Sequence, residues 1–482
     1  MTTEKKLLGV NPSGGATNVA DVFSTYLYTG TSAAKTITNG VDLAGEGGLV
    51  WIKARTVDPS YPTSYPHTLF SQDSGFGYYY GLESNSTAAQ KARSTSLKTF
   101  NSDGFSVDND YEVNGSGFDY ASWTFRKAPK FFDVVTYTGN GTAGRTIAHG
   151  LDGPVGMTVV KRLDAGDGWD VYHKGATGTL YLNSTAAQKA NFTAYGVYAV
   201  SDTTFTVTDQ AQVNASGGTY VAYLFADNTA EDAADQMIKC GSYTEPTGGA
   251  FVDVNLGWEP QYILAKSSDS AADWTVIDSM RGMILGSETR RLTPNSSAAE
   301  TGGFSNAFFQ PTPTGFTVGN SFVGGGGSNI IYMAIRSPMM VEPEVATDVF
   351  ATDAANSGTN PNFYSGFPVD VSIRKYLNNT TSSLELETRL TNTKLETAWP
   401  AVENAVDSNW WDWQDGVSSS GHDSAASAWM WKRAKGFFDV VAYTGTGYTG
   451  ATPEQAIAHS LGVTPELILI KGRSNAEDWA VY

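Results

Sequence analysis

Two histidines in this chain stand in matching surroundings, Ile147-Ala148-His149-Gly150 and Ile457-Ala458-His459-Ser460. A recurring imidazole is what general acid–base chemistry needs near neutral pH. A third version of the stretch, Ile37-Thr38-Asn39-Gly40, has asparagine in that place, and a fourth has Val254 or Asn255. Asparagine reproduces a turn hydrogen bond but cannot shuttle a proton, so the position reads as a turn. His67, His173 and His422 are single and lack metal-ligand spacing. The acidic runs Asp164, Asp167, Asp170 and Asp108, Asp110, Glu112 could offer oxygen ligands to calcium, but neither follows the calcium-loop pattern. The glycine run Gly324–Gly327 suggests a phosphate cradle, yet it lacks the strand-then-helix context and the Lys-Ser/Thr ending; a hairpin tip is expected. Cys240 is the only cysteine, which excludes an internal disulfide, and it reads as a packing residue. No Ser-His-Asp set, cofactor fingerprint or carboxylate pair recurs along the chain. The expectation is therefore no catalytic residue, no metal and no cofactor, although the two carboxylates of a glycoside-cleaving site could lie far apart in sequence.

Aromatic residues offer binding rather than catalysis. The densest cluster is Trp410-Trp411-Asp412-Trp413, and Trp410, Trp411 and Trp413 are the candidates for glycan or partner contact. On a strand alternate residues face opposite sides, so the three cannot share one core. At least Trp411 or the Trp410/Trp413 pair is expected to be exposed or set against a partner, with a domain-to-domain packing wedge as the competing reading. Trp169, Trp274 and Trp479, in Trp-x-Val patterns, read instead as core residues of a strand. Asn85, Asn183 and Asn295 match the N-glycosylation pattern at equivalent positions, but without a signal peptide a conformational role in a turn is the better account.

These positions recur because the chain repeats itself. Phe132-Asp133-Val134-Val135-Thr136-Tyr137-Thr138-Gly139 returns as Phe438-Asp439-Val440-Val441-Ala442-Tyr443-Thr444-Gly445. The segment Asn183-Ser184-Thr185-Ala186-Ala187-Gln188 duplicates Asn85-Ser86-Thr87-Ala88-Ala89-Gln90 and is echoed by Asn295-Ser296-Ser297-Ala298-Ala299-Glu300. Apolar strands end in Lys53, Lys161, Lys266 and Lys471; the first three lie about one hundred residues apart, a domain-sized period. The units are 21–129, 130–229, 236–338, a diverged 341–434 and an incomplete 436–482, preceded by an arm over 1–20. Half a sandwich cannot pair its edges, so for the fifth unit either the polypeptide continues past Tyr482 or another chain completes the sheet.

Alternating apolar and polar residues, 51 glycines and turn signals every ten or so positions predict an all-β chain of tandem antiparallel β-sandwiches, jelly-roll or lectin-like. Strand candidates in the first unit are Val22–Tyr28, Gly48–Lys53, His67–Gln72, Phe76–Glu83 and Gly104–Val107, closed by Phe118–Phe125. With 482 residues, 41% hydrophobic, the chain can bury several cores. A net charge of −18 with only 17% charged residues offers no general attraction to nucleic acid or an anionic membrane. No signal peptide and no membrane-spanning run is present in the sequence.

The succession Phe-Asp-Val-Val-x-Tyr-Thr-Gly, Ile-Ala-His-Gly/Ser-Leu, an apolar strand ending in Lys-Arg or Lys-Gly-Arg, Trp-x-Val-Tyr, and Val213-Asn214-Ala215-Ser216-Gly217-Gly218-Thr219-Tyr220 resembles the repeated β-rich domain of uncharacterised function in bacteriophage tail-fibre and related virion appendage proteins. The resemblance implies a structural virion protein made in the host cytoplasm, serving host attachment, with no enzymatic activity. The alternatives are a tailspike-type glycan-degrading enzyme and a capsid or collar fibre without receptor role. It further implies a homotrimer of single-file sandwiches, an N-terminal arm docked on other virion tail proteins, a possible host-surface glycan as ligand, and no nucleic acid or membrane insertion.

Overall fold

The computed structural model describes residues 17–57, 64–71, 80–232, 234–283, 289–302, 309–319, 322–356, 358–378, 384–396, 402–405, 411–418, 425–447 and 454–482. Almost every described element is a strand and every pairing is antiparallel, as the alternation predicts.

The first unit comprises β1 (Phe23–Thr29), β2 (Lys35–Thr38), β3 (Gly48–Ala54), β4 (Thr68–Ser71), β5 (Tyr80–Glu83), β6 (Lys91–Ala92), β7 (Leu97–Asn101), β8 (Gly104–Val107) and β9 (Asp119–Arg126). A large sheet runs β1-β9-β3-β4-β5-β6 and a small one β2-β8-β7. Pairing the first strand with the last and the second with the next to last folds the chain onto itself from both ends, the jelly-roll manner of connection. The second unit repeats both sheets strand for strand, from Phe132–Thr138 to Thr219–Ala226, and among the described residues the third shows four strands of the large sheet and all three of the small one. The fourth has a large sheet of six, from Phe350–Ala354 to Ala426–Trp431, over a small pair, Phe363–Tyr364 and Gly416–Val417. Among the described residues the fifth pairs Leu469–Ile470 with Ala480–Val481.

The apolar run of β3 is explained by burial on both faces. Val50 and Ile52 point into the sandwich with Ile37 and Phe105, while Leu49 and Trp51 point the other way. In register, Trp51 pairs with Trp123, Val159 with Tyr223 and Leu264 with Met333. These six residues, none more than 4% exposed, belong to one cluster shared by the first three units. The three large sheets therefore back onto a common core, and the expected single-file stalk is corrected: units 1 to 3 close on themselves. At the centre Phe125 of unit 1 meets Phe132 and Phe225 of unit 2 and Tyr262 of unit 3, with ring centroids 5.5 to 6.0 Å apart.

The join between units makes this possible. The amides of Phe131 and Phe132 both donate to the Ala128 carbonyl, a turn that places the next unit's first strand beside the strand just ended. Phe437 and Phe438 repeat it on Ala434. The arm also needs a smaller boundary. Asn18 caps a helical turn, Val19–Val22, whose two valines are wholly buried in the shared core, so residues 18–20 belong to unit 1.

Candidate functional site

The repeated polar residues meet where one unit docks on the next. The indole of Trp169 donates to the carbonyls of Glu83 (3.1 Å) and Ser86 (3.0 Å) in unit 1. Trp274 of unit 3 donates to Tyr181 of unit 2 at 2.9 Å. His67 takes the equivalent place in unit 1, facing the Thr293 backbone of unit 3; burial, with Lys53 and Arg281 nearby, keeps its imidazole neutral, well below the usual histidine range. Beside each ring the loop amide of one unit meets a strand-end carbonyl of the next: Gln90 to Leu163 at 3.1 Å, Gln188 to Ser268 at 2.8 Å, Glu300 to Arg55 at 2.8 Å. Unit 2 docks on unit 1, unit 3 on unit 2, and unit 1 on unit 3. A head-to-tail contact used three times closes a ring, here within one chain.

The recurring lysines lie in the same seams. Lys161 Nζ donates to Thr87 of unit 1 (3.3 Å), Lys266 to Thr185 of unit 2 (3.2 Å) and Lys53 to Ser297 of unit 3 (2.9 Å). Each also donates to the carbonyl of the residue that follows it. All three are fully buried. Burial pushes Lys53 down to about 7 and Lys161 and Lys266 to about 8. An ammonium has three donors, and neutral carbonyls can occupy them without a counter-charge. The Asn-Ser-Thr motif is conformational: Asn183 accepts from the Trp169 amide at 3.0 Å and Asn295 from the Trp274 amide at 2.8 Å.

The seam between units 3 and 1 is additionally charged. Glu300 receives the Arg55 guanidinium bidentately at 3.0 Å and also Arg281 (3.3 Å) and Arg290 (3.0 Å). Burial alone would push its carboxyl up, but Arg55, Arg281 and Arg290 hold it down at about 2. Asp278, fully buried, accepts from Arg281 at 2.6 Å and from the Trp123 indole of unit 1 at 3.0 Å. Sequence reasoning missed this cluster, although the copies carry a signal for it. Where the strand ends in Arg, at Arg55 and Arg473, the docking loop has Glu300 and Glu403; where it has Leu163 or Ser268, the loop has Gln90 or Gln188.

Unit 5 docks on unit 4 through the same contact. Trp479 donates to the Glu396 carbonyl at 3.3 Å, the Glu403 amide to the Arg473 carbonyl at 3.0 Å, and Arg473 grips Glu403 bidentately at 2.6 Å. Unit 4 is fastened to the ring by Arg433, bidentate on Glu259 of unit 3, by Arg389 on the Met280 carbonyl, and by Asp412 on Arg55.

Asp412 of that last contact lies inside the tryptophan cluster. Trp410 lies outside the described residues, Trp411 is buried in the unit 4 core under Arg389, and Trp413 is half-buried. Of the two placements expected, Trp411 is the buried one, in a turn rather than a strand, and the Trp410/Trp413 pair lies partly outside the described residues; the Asp412 between them bonds across to unit 1. The described tryptophans sit beside a unit-to-unit junction, in the place of a packing wedge.

The remaining candidates resolve as structure. Asn39, His149, Asn255 and His459 each accept from the amide two residues on, at 2.8 to 3.2 Å, one turn in four copies. His173 is buried against the Tyr332 carbonyl of unit 3, and burial pushes it down to about 4; His422 lies outside the described residues. Asp164 and Asp167 pair with Arg162, Glu112 with Arg93 and Asp108 with Lys98, while Asp170 is buried. The amides of Val323, Gly324 and Gly325 wrap the buried carboxylate of Glu245, so the glycine run cradles an anion supplied by its own chain. Cys240 is buried, and burial pushes its thiol up. Among the described residues no group of three His, Cys, Asp or Glu converges as for a metal, and no helix is long and apolar enough to cross a membrane. A cavity of about 30 Å³ between units 3, 4 and 5, lined by Glu259, Asp370, Arg389 and Arg433, has room for about one water.

No curated protein and no solved structure matches the chain. A family profile does, over residues 18–338 and 386–482, leaving out only the start of the diverged fourth unit between them. Carrying that profile over most of its length, the chain belongs to the family described as Domain of unknown function (DUF7483).

Proposed function

We propose that the protein is a structural component of a bacteriophage virion, a tail fibre or related appendage, in which rigidly docked β-sandwiches carry a host-attachment surface away from the particle. The observation that carries this reading is the use to which the repeated residues are put. The lysines, the tryptophans and the Asn-Ser-Thr/Ser-Ala-Ala-Gln/Glu loops all serve docking between units. What the copies share is architecture, and the motifs that resemble virion appendage domains are those same residues.

Immunogold labelling of purified particles with an antiserum against the chain tests the proposal. Label on the tail, together with blocked adsorption to host cells, is the expected result. Label without an effect on adsorption would leave a capsid or collar fibre without receptor role, and unlabelled particles would overturn the reading. New reducing ends after incubation with host envelope polysaccharide would assign the enzyme alternative instead.

A further inference from the structure

Units 1 to 3 show what a completed set looks like, and unit 4 does not match it on one face. The ring positions paired as Trp51–Trp123, Val159–Tyr223 and Leu264–Met333 have counterparts in Ile373–Trp429 of unit 4. Trp123, Tyr223 and Met333 are at most 1% exposed, whereas Trp429 is 36% exposed. The face that makes the shared core in the first ring is thus uncovered in unit 4. One seam between units 4 and 5 is already made, with the same indole, amide and guanidinium contacts as the first ring. Leu377 stands where Leu163, Ser268 and Arg55 receive a neighbour's amide; among the described residues no amide donates to its carbonyl, and it is 65% exposed.

We propose that units 4 and 5 are two members of a second three-membered ring, and that the third seat takes one further unit of this same family. A repeated head-to-tail contact fixes the rotation from unit to unit, and in this chain that rotation closes after three. The occupant presents an apolar sheet face to Trp429, a loop amide to the Leu377 carbonyl, and a tryptophan or histidine edge to unit 5.

The test extends the chain after Tyr482 with a second copy of residues 173–338. Tyr482 aligns with Tyr172, so the addition completes the fifth unit in register and supplies one more unit. Hydroxyl-radical footprinting then reads Trp429 in both proteins. The expected result is oxidation of Trp429 in the 482-residue chain and loss of that oxidation in the extended one, which remains monomeric. Oxidation undiminished by an extension that is itself folded, judged by protease resistance of the added unit, would overturn the proposal. A second measurement stands if the extension does not fold: light scattering of the 482-residue chain. A monomer is expected; a dimer dissolved by Trp429→Asp would give the face to a second copy and overturn the proposal equally.

Discussion

Glu300 holds three guanidinium groups in a largely buried seam, and its removal has definite consequences. Glu300→Gln leaves Arg55 and Arg281 buried without their shared countercharge, and breaking a buried pair in this way costs about 3–5 kcal/mol. Chemical unfolding should register that loss, with the midpoint falling and the slope unchanged. Arg55→Ser combined with Glu300→Gln recreates the neutral seam of Ser268 and Gln188. The double variant should be more stable than the sum of the two singles by about 0.5–3 kcal/mol, the range for contacting residues in one network; strict additivity would mean the pair is not coupled. Acid acts on the same carboxylate. Its folded value of about 2 is below that of the unfolded chain, so its stabilising contribution is complete above the unfolded value and is lost as pH falls through the folded one. Little of this cluster was legible in advance, because Arg55 and Glu300 are 245 positions apart and become partners only through ring closure. The turn position was more legible: an asparagine in place of a histidine already pointed to the hydrogen bond that Asn39 and His149 share.

At the scale of elements, the strands ending in Lys53, Lys161 and Lys266 and the loops that receive them form one repeated device. Burial depresses these lysines, so between the folded values of about 7 to 8 and the unfolded value the unfolded chain binds more protons. Stability contributed by them must therefore rise with pH across that window. Calorimetry from about pH 7 to about pH 9 should show the melting temperature rising, and Lys53→Met, Lys161→Met and Lys266→Met together should flatten the slope. A slope unchanged by the triple substitution would show that these lysines do not titrate in that range. Trp169→Phe removes a donor from the Glu83 and Ser86 carbonyls and should cost about 1–3 kcal/mol, the price of leaving buried acceptors unsatisfied. The apolar runs of β3 and its counterparts announced strands, and burial on both faces is what such unbroken runs demand. The short strands β2 and β7 were not anticipated, since four or five residues with Lys, Thr and Asn carry too little apolar pattern to stand out. Which face of each sheet met which neighbour could not be read, because the partner is another copy of the same pattern.

For the whole molecule, the sequence conveyed the number of units and the short joins but not their closure. Ala128-Pro129-Lys130 suggested restricted orientation and was compatible with a stalk; what closes the units is a turn on the Ala128 carbonyl together with apolar faces that all require the same cover. Threefold lateral burial, expected between three chains, is met for units 1 to 3 inside one. The ring exists because unit 3 returns to unit 1. Ser64 and Ser297 lie 233 positions apart, and their hydroxyl oxygens are 3.3 Å from each other across the closing seam. Ser64→Cys with Ser297→Cys places two thiols there, while the buried Cys240 stays out of reach. Oxidation followed by non-reducing electrophoresis and peptide mapping is the direct measurement. A closed ring predicts an intramolecular 64–297 disulfide at monomer mass, formed in the folded state and at high dilution. Free thiols, or a bridge formed only between chains, would contradict it.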